Sequence, residues 1–218
     1  MTLTPALQPI FSVGTESIVG YEALARWNDA GLWRRPHESS PDWAATDLAM
    51  FEKLAEIGDS IKQKSACLFV NVSAYTLDQT NTFNNWLSIA SDMADVMDSD
   101  CVIEITEQIP DQLLMNRWDQ LRALGTSLAI DDFGDGQSQL ARLQGYDWDF
   151  CKFDAKRTVD MRDAGALLYC QKEDIKMIIE KVETQSEKIL GRLFGLDWQQ
   201  GYYFAKPQLI TELDCVKD

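Results

Sequence analysis

The sequence predicts an α/β barrel, one domain in which about eight short strands alternate with helices around a mostly parallel sheet. Three observations lead there. The chain has 218 residues, and α/β barrels commonly fill 200 to 250 residues as a single domain. Short β-rich runs alternate with longer segments of helical period, the pattern of repeated βα units. Nearly every β-rich run also ends on a polar residue, as expected where parallel strand ends gather at one functional face.

In chain order, a leading strand is expected at Leu7 to Phe11, then strands at Ile18 to Ala23, Ala66 to Val72, Cys101 to Thr106, Leu128 to Asp131, Phe150 to Phe153, Ile175 to Ile179 and Trp198 to Phe204. Between them, Asp47 to Gln63 places Leu48, Phe51, Leu54, Ala55 and Ile61 on one helical face, with Gly58 weakening its C-terminal end. Gln112 to Leu124 aligns Leu113, Leu114, Trp118, Leu121 and Leu124 before a stop at Gly125. Ser186 to Leu196 repeats the pattern, and Trp33 to Trp43 reads as loop.

Composition narrows the function. A hydrophobic content of 45% excludes a disordered chain. A net charge of −15 opposes binding to a nucleic-acid polymer, since no basic stripe can replace the counterions. A small phosphate ligand is compatible with that charge if metal ions supply the positive partner. The N-terminus lacks the basic and apolar regions of a signal peptide and no run is long enough to span a membrane, so a cytoplasmic protein with no membrane contact is expected. Five cysteines form no CxxC pair and read as buried small hydrophobes; His37 is the single histidine, which excludes sites built on several histidines.

The polar strand ends are Glu22, Asn71, Glu104, Asp131 with Asp132, Lys152, Glu180 and Gln200. Five are carboxylates, and gathered without a counter-charge they would raise one another's pKa and destabilise the fold. Divalent cations resolve the conflict. An all-oxygen set with an asparagine carbonyl suits Mg²⁺ or Mn²⁺. Adjacent Asp131 and Asp132 can serve two ions, an arrangement suited to phosphodiester hydrolysis. Lys152 adds a charge that can orient water or neutralise an oxyanion, and Arg26 offers a fork for phosphate oxygens. "DDFGDG" (Asp131 to Gly136) is not a calcium loop, because Phe133 stands at the third position, where Asp or Asn is needed.

The ordered motifs "QPI" (Gln8 to Ile10), "YEALARW" (Tyr21 to Trp27), "NVS" (Asn71 to Ser73), "EITE" (Glu104 to Glu107), "DDFGDGQSQL" (Asp131 to Leu140), "KFD" (Lys152 to Asp154), "EKVET" (Glu180 to Thr184) and "QGYYFAKP" (Gln200 to Pro207) resemble the EAL domain, the family of bacterial cyclic di-GMP phosphodiesterases. The resemblance implies a modified TIM-like barrel that hydrolyses cyclic di-GMP to linear pGpG with two Mg²⁺ or Mn²⁺. By residue matching it implies Glu22, Asn71, Glu104, Asp131, Asp132 and Glu180 as metal ligands, with Lys152 and Gln200 near the waters. Glu107 would brace the loop after Asp132, Glu183 would support it, Gln8 would meet a guanine and Arg26 a phosphate. Regulation is expected from a homodimer or a separate sensor protein. A non-catalytic EAL-like regulator that binds cyclic di-GMP or a protein partner is the alternative.

The chain departs from the family pattern in four places. The segment between Trp27 and Asn71 is short, as is the link from Asp154 to Ile175. Asp135 and Gln137 replace other residues in the loop after Asp132. Lys181 replaces the glycine of the family's EGVET. Side chains alternate along a strand, so Lys181 is expected to point away from the face that Glu180 presents to the metals.

Overall fold

The computed structural model of the chain describes residues 2–29, 31–34, 42–64 and 66–212. Eight strands close a barrel: β1 (Thr2–Ser12), β2 (Ser17–Asp29), β4 (Cys67–Val72), β5 (Cys101–Ile105), β6 (Ser127–Phe133), β7 (Phe150–Asp154), β8 (Lys176–Glu180) and β9 (Trp198–Gln199). The short strands β3 (Leu32–Arg34) and β10 (Gln208–Leu209) extend the sheet on β2 and β1. From β2 through β4 to β9 all neighbours are parallel, while β1 runs antiparallel to both β2 and β9 and closes the ring between them. The expected mostly parallel α/β barrel is therefore present, with an inverted first strand.

Nine α-helices lie among the described residues: α1 (Trp43–Ala55), α2 (Gly58–Lys62), α3 (Ala74–Asp78), α4 (Thr80–Met97), α5 (Asp111–Arg122), α6 (Leu140–Gly145), α7 (Ala155–Val159), α8 (Ala164–Lys172) and α9 (Gln185–Leu193). Asp42 caps α1 by accepting from the Ala45 amide at 3.1 Å. The helix expected as one piece from Asp47 to Gln63 is two, because the chain turns at residues 56–57 before α2 begins at Gly58. The link from Asp154 to Ile175 holds α7 and α8. In the expected Trp33 to Trp43 loop, Trp33 and Arg34 instead pair with β2 and Trp43 opens α1. Residues 35–41, including His37, lie outside the described residues.

Two apolar layers hold the barrel. The larger joins the outer strand faces to the helices, for example Tyr21 and Ala23 with Phe51, Leu54 and Trp86. The smaller fills the barrel interior with Ile10, Phe69, Val102, Ala129, Phe150 and Ile178. Because successive side chains alternate across a sheet, the residue two positions beyond each of these shares its face. Those residues are Asn71, Glu104, Asp131, Lys152 and Glu180, with Gln8 two before Ile10 on the antiparallel β1. Glu22 occupies the same level two residues after Gly20, where a Cβ would approach the Cys67 carbonyl oxygen at 3.0 Å. The site is one pleat above an apolar floor.

Candidate active site

Lys152 stands at the centre of the polar layer with 1% exposure. Its Nζ lies 2.7 Å from Glu104 Oε1, 2.9 Å from Asp131 Oδ1, 3.2 Å from Glu180 Oε2 and 3.5 Å from Glu22 Oε2. Burial works against the ammonium, but the four carboxylates outweigh it and hold the Lys152 pKa well above the ordinary lysine value. Burial pushes Asp131 up to about 6 and Glu104 well above the carboxylate range, with Lys152 opposing both shifts. Glu180 is likewise raised by burial, against the pull of Lys152.

Amides complete the layer. Asn71 Nδ2 donates to Glu104 Oε2 at 2.9 Å and to Glu22 Oε1 at 3.4 Å. Gln200 Nε2 donates to Glu22 Oε2 at 2.5 Å and to Gln8 Oε1 at 3.3 Å, and Gln8 Nε2 donates to the Ala205 carbonyl at 3.1 Å. Gln200 sits just past the end of β9, where its amide donates to the Ile179 carbonyl at 2.8 Å. The last expected strand stops at Gln199, and residues 201–204 turn instead.

Around this layer opens a cleft of about 490 Å³ lined by Gln8, Glu22, Leu24, Asp131, Asp132, Lys152, Glu180, Lys181, Glu183, Gln200, Gly201 and Tyr202. An adjoining cleft of about 260 Å³ shares Leu24 and Asp131 and reaches Asn71, Asp47 and Glu107. Glu104 is fully buried beneath them. Arg26 is not brought into either cleft: it lies four residues beyond Glu22 on β2, and its Nη1 donates to the Ala25 carbonyl at 2.8 Å. Glu183 is exposed at the rim, with Oε2 3.9 Å from Lys156 Nζ.

The Asp131–Gly136 loop is shaped by backbone. The β6–β7 register shifts between Ile130 and Phe133, and Asp132 adopts φ 43°. The Glu107 carbonyl accepts from the Gln137 amide at 2.8 Å, so Glu107 touches this loop through its main chain. Gly136, at φ 45°, passes so close that a Cβ there would lie 2.5 Å from that carbonyl oxygen. Only glycine fits there.

The donor chemistry fits divalent cations. Oxygens of Asp131, Asp132 and Glu180 lie within 4.8 Å of one another, and Glu180 Oε1 is buried with no hydrogen-bond partner among the described residues. Hard oxygen donors with no thiolate or imidazole among them suit hard divalent cations such as Mg²⁺, Mn²⁺ or Ca²⁺.

The expectation for Lys181 is wrong. β8 ends at Glu180, and Lys181 takes the left-handed conformation at φ 58°. Pleat alternation ceases there, and the side chain folds into the cleft, where Nζ donates to Asp132 Oδ1 and lies 3.6 Å from Asp154 Oδ2 and 3.7 Å from Glu180 Oε1. Burial lowers its pKa, but Glu180, Asp132 and Asp154 together raise it above the lysine value. Asp132 in turn is pushed up by burial and, more strongly, held below the usual range by its contacts with Glu180 and Lys181.

Asp47 was absent from the sequence-based site. It lies inside α1 rather than at its start, and accepts from the Ser73 amide at 2.8 Å, Ser73 Oγ at 2.7 Å and Thr76 Oγ1 at 2.5 Å, tying α1 to α3 beside the smaller cleft. An acid one residue before Leu48 and four before Phe51 of an apolar face was its signal.

A family model described as the EAL domain matches residues 1–207. The chain is 28% identical over 236 residues to the probable cyclic di-GMP phosphodiesterase PdeG of Escherichia coli K12, covering 99% of this chain and 46% of that protein. It is 27% identical over 226 residues to the cyclic di-GMP phosphodiesterase RocR of Pseudomonas aeruginosa, covering 92% of this chain and 56% of that one. The chain thus spans about half the length of these relatives. Among solved structures, the manganese and cyclic di-GMP complex of Klebsiella pneumoniae BlrP1 at pH 9.0 superposes with a TM-score of 0.81 at 23% identity, over 96% of this chain and 57% of that chain. That likeness concerns the fold. No helix among the described residues is long and apolar enough to cross a membrane.

Proposed function

This chain belongs to the EAL domain family, and we propose that it is a phosphodiesterase that opens one phosphodiester bond of cyclic di-GMP to give linear pGpG. The observation that carries the reading is the ring of buried carboxylates around Lys152, open to a cleft whose oxygens suit divalent cations. In this reading Glu22, Asn71, Glu104, Asp131, Asp132 and Glu180 hold two Mg²⁺ or Mn²⁺. Bound there, the ions lower the pKa of water toward neutrality and offset charge on the reacting phosphodiester.

The chain's own groups supply the rest. Lys152 keeps a desolvated positive charge beside the reacting centre, where it orients water and stabilises negative charge as the bond breaks. Gln200 fixes the Glu22 carboxylate and, through Gln8, the wall on which a guanine would rest. Glu107 shapes the loop that presents Asp132, and Glu183 supports it from the rim. Arg26 would take a phosphate only from a substrate that extends along β2 past Leu24.

The geometry of Lys181 favours a second reading, a protein that binds cyclic di-GMP and regulates without hydrolysing it. Incubation of the purified chain with cyclic di-GMP and Mn²⁺ or Mg²⁺, followed by chromatography, separates the two. The enzyme yields pGpG. Saturable binding with no pGpG at any metal concentration supports the regulator, and neither binding nor product ends both readings.

A further inference from the structure

Lys181 is held at φ 58°, a left-handed conformation that strains a residue with a Cβ. That conformation turns its side chain toward three acidic groups, and the ammonium meets oxygens of Asp132, Asp154 and Glu180. Asp132 and Glu180 are two of the three residues whose oxygens converge closely enough to hold a metal ion. The third, Asp131, lies 2.9 Å from Lys152, which also meets the other oxygen of Glu180 at 3.2 Å. Lys181 therefore stands over the Asp132 side of the cluster, and Lys152 over the Asp131 side.

An ammonium and a divalent cation compete when both need the same carboxylate oxygen. The ammonium already donates to Asp132 Oδ1, and a dication on the same carboxylate would repel it within a few ångströms in a partly desolvated cleft. Lys181 also arrives tethered, at no cost in translational freedom, whereas an ion must be drawn from solution and partly dehydrated. Its side chain is half exposed, so water offers the ammonium a place to go when a dication displaces it.

We propose that Lys181 is an intramolecular counter-ion that competes for the cation position at Asp132, so that this chain binds one divalent ion tightly and a second only by displacing the ammonium. The inference rests on the metal-binding reading above and adds a consequence: full occupancy, and hydrolysis with it, would demand a higher metal concentration than an otherwise identical chain with glycine at 181. Asp154 is part of the device, since its Oδ1 caps α7 through the Lys156 and Arg157 amides while Oδ2 faces Lys181.

The test is a Mn²⁺ titration of the chelator-treated full chain without nucleotide, reading free Mn²⁺ by its paramagnetic resonance signal. Lys181→Gly removes charge and backbone strain together; Lys181→Met removes the charge and keeps the strain. The expected result is one tight equivalent for the parent, with a second at least about tenfold weaker than in either variant. Two equivalents of equal affinity in parent and variants would overturn the competition and leave the metal reading standing. A gain in Lys181→Gly but not in Lys181→Met would assign the effect to the backbone and overturn it too. If none of the three proteins takes up Mn²⁺, the metal reading itself fails, and the competition with it.

Discussion

Lys152→Met would leave Glu22, Glu104, Asp131 and Glu180 around an uncharged side chain of similar length. With the ammonium 2.7 to 3.5 Å from all four, each pair whose carboxylate is ionised is worth roughly 5 to 6 kcal/mol of Coulomb energy at an effective dielectric constant of about 20. Most of that offsets desolvation, since burying each ion costs several kcal/mol. What the variant loses is the difference, and breaking a buried ion pair by removing one partner typically costs about 3–5 kcal/mol. Part is recovered as the carboxylates protonate, because the loss of Lys152 removes the main influence holding their pKa values down. The expectation for urea unfolding at pH 7.5 in chelator is a loss of about 3 kcal/mol or more at unchanged m-value, smaller at pH 5, and partly reversed by Mn²⁺, which replaces the missing charge. A loss under about 1 kcal/mol in chelator would refute the reasoning, because it would mean that the ring is not ionised in the metal-free protein.

Glu22→Ala should abolish cyclic di-GMP hydrolysis while leaving the melting temperature within a few degrees of the parent, since removing one of four crowded carboxylates relieves repulsion; undiminished turnover would reduce Glu22 to a buried partner of Gln200. Hydrolysis should cease in chelator, return with Mg²⁺ or Mn²⁺ and be suppressed by excess Ca²⁺, which prefers longer and looser coordination; full turnover in chelator would contradict the metal assignment. For Asp47, burial pushes the carboxyl up from 3.8 to about 6 against the hydrogen bonds from Thr76 and Ser73. Between those values the folded protein keeps a proton that the unfolded chain has released, so stability falls as pH rises through the window. Asp47→Asn should flatten that slope, by about 2–3 kcal/mol between pH 4 and 6.5, and urea midpoints with the parent's pH dependence would show Asp47 ionised throughout.

The depth of the site was legible because a strand's period of two is strict. Once Phe69, Val102, Ala129, Phe150 and Ile178 are placed inside the barrel, Asn71, Glu104, Asp131, Lys152 and Glu180 must share their face. Helices were less legible where propensity and packing disagree. α4 lies in "TNTFNNWLSIASDMADVM", rich in Asn, Ser, Thr and Asp that compete for backbone hydrogen bonds. It is nonetheless the longest helix, because Phe83, Trp86, Ala90, Met93 and Met97 bury one face against the barrel and α1. Tertiary burial outweighed weak local preference, and no element was expected there. Arg26 shows another gap: its position on β2 was readable, but not the side chain's turn to the Ala25 carbonyl.

Lys181 marks where the strand rule ends, and the reason is local. Alternation predicts the direction of a side chain only while the backbone stays extended, and β8 stops at Glu180. A residue with a Cβ rarely adopts φ 58° without compensation; here three carboxylates supply it. Glycine at this position would accept the turn freely and leave the oxygens of Asp132 and Glu180 open to ions. Lysine accepts it at a cost and fills that position with its own charge. The same substitution therefore alters the backbone energy and the electrostatics of the site in opposite directions. Lys181→Gly should accordingly leave chelator-treated stability nearly unchanged, as released strain offsets the lost ion pairs, while Lys181→Met, which loses the pairs and keeps the strain, should be the less stable of the two by about 1 kcal/mol. Urea unfolding in chelator decides it, and a methionine variant as stable as the glycine variant would show that the turn at Lys181 carries no strain.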